Sequence, residues 1–301
     1  MFWLLASWPA SADPSPDARS TANPISLANT GQALAAPRVS RAWIGQVYSP
    51  EDPGPVWFTA EGPRPSLGLA LRELRGAADR GLAPEDYGVD LLEREIGALV
   101  ESRADPDRLA RADRAMTVTV LRFLSDLRFG RVRPHEVEPH YRATPKDAAF
   151  VAELRAAVAR DRLAAMIDAV EPAFPLYARL KFLLADYRLL AAQPGIVLPP
   201  PASARGKIVA GDIYAGVPAL HAQLVRLRDL AADAAPPADD RYTDALAEAV
   251  RRFQERHGLQ PDGVLGKETL AALNVPLAVR VDQITLSLER LRWLPALPPG
   301  R

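Results

Sequence analysis

From residue 39 to about residue 201, apolar positions recur at intervals of three and four and almost never at two. Leu67, Ala70, Leu71 and Leu74 share one helical face, and Gly81 marks its stop. The strongest pattern covers residues 112–129, with Met116, Val120, Phe123, Leu124 and Leu127 in one stripe. Gly130 stands where that helix should end, and Arg128 suits the negative end of its dipole. Residues 150–159, 161–170 and 176–192 repeat the theme. Several helices joined by short, proline-containing connections predict an all-α bundle rather than a sheet protein.

A second, smaller helical group follows. Leu220, Leu224 and Leu227 recur at helical spacing within residues 217–231, and Pro218 stands at the start. Leu246, Ala249, Val250 and Phe253 fall at i, i+3, i+4 and i+7, one apolar stripe on a helix that Gly258 should stop. Leu259 can fold back on the last turn as the hydrophobic partner of such a cap. Pro261-Asp262-Gly263 predicts a tight turn: proline presets φ, aspartate bonds its own backbone, and glycine takes positive φ. Gly266 ends the loop, and residues 269–273 begin a short helix stopped by Asn274 and Pro276.

The residues Phe253-Gln254, His257-Gly258-Leu259, Asp262-Gly263, Gly266, Thr269-Leu270 and Leu273-Asn274 together resemble the three-helix peptidoglycan-binding domain of bacterial cell-wall enzymes. The preceding region also carries a resemblance. Val56-Trp57-Phe58, the run from Gly81 through Leu82, Ala83, Pro84, Glu85 and Asp86 to Tyr87, and the run from Asp126 to Val132 are similar to the helical scaffold domain of murein L,D-transpeptidases. Residues 281–295 are similar to that family's connecting helix, with Ser287 in place of the expected asparagine. The first residues read as a truncated signal peptide over 1–12 and a disordered linker over 13–38, and the resemblance implies the scaffold domain over 39–205. A peptidoglycan-binding domain over 206–275 follows, with a connecting helix and tail over 276–301.

The family's activity does not transfer with its scaffold. L,D-transpeptidases attack a tetrapeptide donor with a cysteine set in a Ser/Thr-His-Gly-Cys motif, and covalent acyl transfer needs such an activated nucleophile. This chain has no cysteine, and none of its 4 histidines stands in that motif. The expectation is a non-catalytic binding and scaffolding portion of an L,D-transpeptidase-like protein. The alternative is an intact-gene product that forms 3→3 cross-links, seen here without its catalytic domain.

Composition narrows the partners. Lys plus Arg and Asp plus Glu balance at 37 each, so no global field favours nucleic acid. Residues 2–8 form an apolar run broken by Pro9, and Ala10-Ser11-Ala12 has the small-x-small form of a signal-peptidase site. The run is too short to span a bilayer, which needs ~20 apolar residues. The N-terminal features predict an exported protein, and the resemblance implies a periplasmic, cell-wall-associated one with peptidoglycan (glycan strand or stem peptide) as its partner. The sequence leaves the oligomeric state open.

Tyr242, Arg252, Gln254, His257 and Asp262 cluster near the predicted turn and are the candidate peptidoglycan contacts. His257 reads first as a packed histidine at a helix end, since it lies on the stripe of Leu246 and Phe253. Other chemistry finds no support. His135 and His140 flank Glu136 and Glu138, but the two prolines there argue for a solvated loop, and the spacing is not that of a zinc hydrolase. Glu85-Asp86 and Asp239-Asp240 stand at predicted helix starts, where acids serve as caps. Gly206-Lys207 lacks a phosphate loop's glycine spacing, and Arg251, Arg252 and Arg256 read as a solvated face. No catalytic residue, metal site or cofactor is expected.

Overall fold

The computed structural model describes residues 39–101, 105–132, 134–137, 140, 146–202 and 205–295. The expected signal peptide and linker, and the tail beyond residue 295, lie outside the described residues. The chain is mainly helical, and its only sheet among the described residues is the two-residue hairpin β1 (Phe58–Thr59) and β2 (Gly62–Pro63). It forms two compact units. One comprises residues 39–183 and 285–295 of the described chain, the other Leu184–Ile284.

The larger unit is built on α1 (Arg41–Val47), α2 (Pro65–Arg75), α3 (Val89–Glu101), α4 (Pro106–Phe129), the single turn α5 (Pro134–Val137), α6 (Ala149–Ala159) and α7 (Leu163–Val170). Helix α4 is its axis. It starts six residues before the predicted pattern at residue 112 because Asp105 accepts from the Asp107 amide at 3.2 Å and Pro106 occupies the first turn, where a missing N–H costs nothing. Its buried positions include the predicted Met116, Val120, Phe123, Leu124 and Leu127. Helix α2 ends at Arg75 and runs on as the 3-10 turn Gly76–Arg80, closed by Gly81 at φ 68°.

A buried carboxylate explains the Val56-Trp57-Phe58 run. Asp113 of α4 accepts the amides of Val56 at 2.9 Å and Trp57 at 2.7 Å, and the Tyr48 hydroxyl at 2.5 Å. Trp57 donates its indole N–H to Thr117 one turn further along, at 2.8 Å. Every donor around the carboxylate belongs to the loop before β1, so α4 fixes that loop by satisfying its backbone. Burial beside Asp113 drives the Tyr48 phenol well above its ordinary pKa.

Two sequence expectations change here. The Pro134 segment, expected as a loop, holds the helical turn α5, because Pro134 stands at its start and the second proline follows its end. The side chain of His135 lies outside the described residues. Glu85-Asp86 sits in the 3-10 turn Pro84–Tyr87 rather than capping an α-helix, and Asp86 is buried against Arg131 at 2.5 Å.

The smaller unit holds α9 (Val217–Arg226), α10 (Asp244–Arg256) and α11 (Lys267–Leu273) around one core. Leu220, Leu224, Leu246, Val250, Phe253, Leu265, Leu270 and Leu273 fill that core, and Leu198 belongs to it too. Asn274 explains the last point: its side-chain amide group both accepts from the Leu198 amide at 2.8 Å and donates to the Leu198 carbonyl at 3.0 Å. Two more helices, α8 (Pro175–Ala191) and α12 (Leu277–Trp293), each pass from one unit to the other, at residues 183/184 and 284/285.

Candidate functional site

Helix α10 begins at Thr243, whose hydroxyl accepts from the Leu246 amide at 3.3 Å, and ends in a left-handed cap. Gly258 has φ 66°, its amide reaches the Glu255 carbonyl at 3.3 Å, and the Leu259 amide reaches Gln254 at 2.9 Å. These paired bonds are the geometry that closes a helix through a glycine. The chain then enters the turn at Pro261. Asp262 accepts from the Val264 amide at 2.8 Å, and Gly263 takes φ 72°. A side chain at Gly263 would place Cβ 2.9 Å from the Ala247 carbonyl oxygen, so the turn packs directly on α10.

The five candidate residues divide into interior and surface groups. Tyr242 is fully buried, and its hydroxyl donates to the Gly263 carbonyl at 2.7 Å. Burial holds its phenol well above the ordinary pKa. Gln254 is buried as well. Its amide nitrogen serves Asp262 Oδ1 at 3.0 Å, the Val264 carbonyl at 3.1 Å and the Thr269 hydroxyl at 3.1 Å, while its oxygen accepts the Gly263 amide at 2.8 Å. These two side chains hold the turn in place, and neither faces solvent. Arg252 and Asp262 are exposed and His257 is half-buried, so three of the five can meet a ligand directly.

His257 is neutral. Its ring stacks on Phe253 with centroids 3.9 Å apart, and Nδ1 lies 2.8 Å from the Phe253 carbonyl oxygen. That oxygen can only accept, so Nδ1 carries the proton and Nε2 presents a lone pair. Burial lowers the imidazole to about 4, and Arg256 and Arg280 push the same way, while the bond to Phe253 works against them.

Around His257 the cations are treated unequally. Arg256 makes a paired contact with Asp229, at 2.9 Å from Nε and 2.5 Å from Nη2, and it also bonds the Tyr187 hydroxyl. Arg252 donates to the Asp229 backbone carbonyl at 3.0 Å. Arg280, at the start of α12, donates to the Ala272 carbonyl at 3.1 Å and to Gln283 at 3.0 Å. No carboxylate pairs with Arg280 among the described residues, and burial lowers its pKa. Sequence reasoning does not single out Asp229, Tyr187 or Arg280. Each stands 23 or more residues from Arg252, Arg256 or His257, so no local spacing signals the cluster.

The larger unit has a different device, built where the other resemblance lies. The end of α12 passes over Gly81 and Gly130: a Cβ at Gly81 would meet Leu288 at 3.1 Å, and one at Gly130 would meet Glu289 Oε1 at 2.5 Å. Glu289 accepts the Val132 amide at 2.8 Å and the Trp293 indole at 3.2 Å. Arg292 is completely buried and reaches the Tyr177 hydroxyl at 2.9 Å, Glu289 at 3.2 Å and the Arg80 carbonyl. Glu171 completes the cluster with Arg80 at 3.2 Å and Lys181. Burial pushes the Tyr177 phenol up to about 12. Lys146 donates to the carbonyls of Arg128 and Arg292, one at the end of each helix, and burial lowers its amine to about 8. These contacts hold the last turns of α12 by side-chain fit and by charge.

Among the described residues no cluster of His, Cys, Asp and Glu could hold a metal ion, and no helix is long and apolar enough to cross a membrane. No curated protein matches the sequence. Two family models do match parts of it: the Scaffold domain over residues 42–184 and the putative peptidoglycan binding domain over residues 214–273. This chain carries an L,D-transpeptidase-type scaffold domain followed by a peptidoglycan-binding domain.

Proposed function

We propose that the chain is an exported, periplasmic cell-wall protein that grips peptidoglycan with the Leu184–Ile284 unit and uses the larger unit as a scaffold. The peptidoglycan-binding match over residues 214–273 carries this reading. What supports it locally is a rigid turn, pinned by Gln254 and Tyr242, that sets Asp262, His257 and Arg252 at the surface of one small unit. The proposed domain limits are scaffold 39–205, peptidoglycan-binding domain 206–275 and connecting helix and tail 276–301, with the described residues of 184–205, and residues 276–284, packed in the smaller unit. Co-sedimentation of the purified chain with isolated sacculi tests it. Retention in the pellet is expected, and protein left in the supernatant defeats the proposal.

A second reading is favoured by the dock beneath α12. A scaffold that seats the end of a helix on two glycines and a buried ionic cluster is suited to orienting whatever that helix leads into. In an L,D-transpeptidase that is the catalytic domain, which forms 3→3 cross-links with a cysteine. The chemistry would lie outside residues 1–301, which contain no cysteine. Reading the genomic DNA past the Arg301 codon for a Ser-His-Gly-Cys frame separates the two readings.

A further inference from the structure

Helix α9 ends with an arginine where two other helical segments of this chain place glycine. Arg228 takes the left-handed position after the last turn, at φ 64°, and the Asp229 amide reaches back to the Leu224 carbonyl at 2.9 Å. Gly81 at φ 68° and Gly258 at φ 66° hold the matching positions elsewhere, because a side chain there is strained. The other left-handed non-glycine among the described residues is Asp161, a type that tolerates the conformation. What Arg228 gains within the fold is one ion pair, to Asp186 at 3.0 Å, with the two side chains 76% and 43% exposed. So exposed a pair returns less than a left-handed backbone costs, and folding alone gives no reason for arginine at this position.

The next residue gathers further cations. Asp229 is buried, Arg252 donates to its carbonyl at 3.0 Å, and Arg256 holds its carboxylate at 2.9 and 2.5 Å. That carboxylate is therefore spent on Arg256. Glu248 is bonded to Arg251 at 2.9 Å and stands 3.6 Å from Arg252, beyond hydrogen-bond length. Arg252 is thus fixed through Nε while the terminal nitrogens of its half-exposed guanidinium make no hydrogen bond among the described residues. Arg228 spends one of its five N–H groups on Asp186 and has four left. We propose that Arg228 and Arg252, brought together at Asp229, form a subsite that takes a free carboxylate of the stem peptide. The subsite rests on the reading of this unit as the part that binds peptidoglycan, and it decides between the two faces of that polymer: the stem peptide carries free carboxylates, and the glycan backbone offers hydroxyls and amides. A guanidinium held at one end takes a carboxylate through two parallel N–H bonds, which neutral hydroxyls cannot match. Arg256 stays on Asp229 and acts as a positioning residue for the loop.

The experiment is a calorimetric titration of the full chain with three soluble probes: a tetrapeptide with free carboxylates, the same peptide with every carboxylate amidated, and inorganic phosphate. The free acid is expected to bind, with amidation weakening it by about tenfold or more, the loss typical of a charge-assisted pair. Arg228→Gly should weaken the free acid similarly and leave the amidated peptide unchanged. Its urea midpoint should stay the same or rise, because glycine relieves the left-handed backbone, whereas a purely structural arginine would lower the midpoint and spare the affinity. Arg252→Gln should cause the same selective loss from the α10 side. No binding of the free acid, equal binding of the two peptides, full affinity in both variants or a lowered midpoint in Arg228→Gly would overturn the subsite. Phosphate bound as tightly as the free acid would overturn the stem peptide as its ligand. Sacculus co-sedimentation of the native chain keeps the two proposals apart: pelleting without peptide selectivity removes the subsite and leaves the function, and loss of pelleting removes both.

Discussion

Gln254 and Asp262 are joined across the turn of the smaller unit, amide to carboxylate at 3.0 Å, although eight residues of chain separate them. The same carboxylate oxygen closes the turn by accepting the Val264 amide, so one side chain reads the conformation that another has set. Gln254 also accepts the Gly263 amide and serves the Val264 carbonyl and Thr269. Replacing it leaves buried donors and acceptors unmatched, at about 1–3 kcal/mol for each unsatisfied group. Gln254→Ala should destabilise this unit by about 2–4 kcal/mol. Gln254→Glu should be no better, because it loses the donor and sets a carboxylate against Asp262. Hydrogen exchange of the Gly263 and Val264 amides will report it, and unchanged protection in both variants would refute the role given to Gln254.

Gly130 is under two constraints at once. Its backbone has φ 81° and ψ 167°, a region essentially confined to glycine, and Glu289 would lie 2.5 Å from an added Cβ. Gly130→Ala should therefore cost about 2–4 kcal/mol in the larger unit, from backbone strain and overpacking together. The damage should be local as well as global: exchange protection should fall across residues 285–295 before it falls in α4. Loss of protection in α4 before residues 285–295 would show that Gly130 matters for α4 alone.

Arg292 makes the dock specific. It is completely buried, and its guanidinium joins Tyr177, Glu289 and the Arg80 carbonyl, which a planar fork can do and a single ammonium cannot. Arg292→Met strands Glu289 in the interior and should destabilise the unit by about 3–5 kcal/mol. Arg292→Lys should recover less than half of that, as read from urea denaturation of the full chain. Full rescue by lysine would mean that charge alone matters there.

How much of this was legible in the chain depends on distance along it. The Gly258 cap, the Asp262 turn and the stripe of α4 rest on neighbours within a few residues, so their spacing announces them. Helix α3 was equally open to reading, since Val89, Leu92, Ile96 and Leu99 are buried at helical intervals. Tyr242 and Gln254 show where local reasoning stops. Polar residues beside a turn look like surface, yet both point inward, because the turn folds back on α10 and presents its amides and carbonyls there. Asp113 binds a loop 57 residues away, and Asp229 pairs with Arg256 across 27 residues of chain. No periodicity carries that kind of information.

His257 makes the stability of the smaller unit depend on pH in a defined direction. In the folded chain its pKa is lowered to about 4, chiefly by burial and further by Arg256 and Arg280, against ~6.5 for an unperturbed imidazole. Above about pH 6.5 both states are neutral at this residue, and its contribution is complete. As pH falls from there towards 4, the unfolded chain takes up a proton that the folded one refuses, so stability declines; below the folded value this residue adds no further loss. The half-buried ring is partly screened, and the decline should amount to about 1–2 kcal/mol. Carboxylates titrate in the lower part of the same range, so the quantity to measure is a difference. Urea midpoints of the full chain and of His257→Gln should diverge at pH 7.5 and converge as pH falls to 4.5, with the native chain showing the steeper slope. Parallel curves would mean that His257 takes up its proton in the folded chain as readily as in the unfolded one.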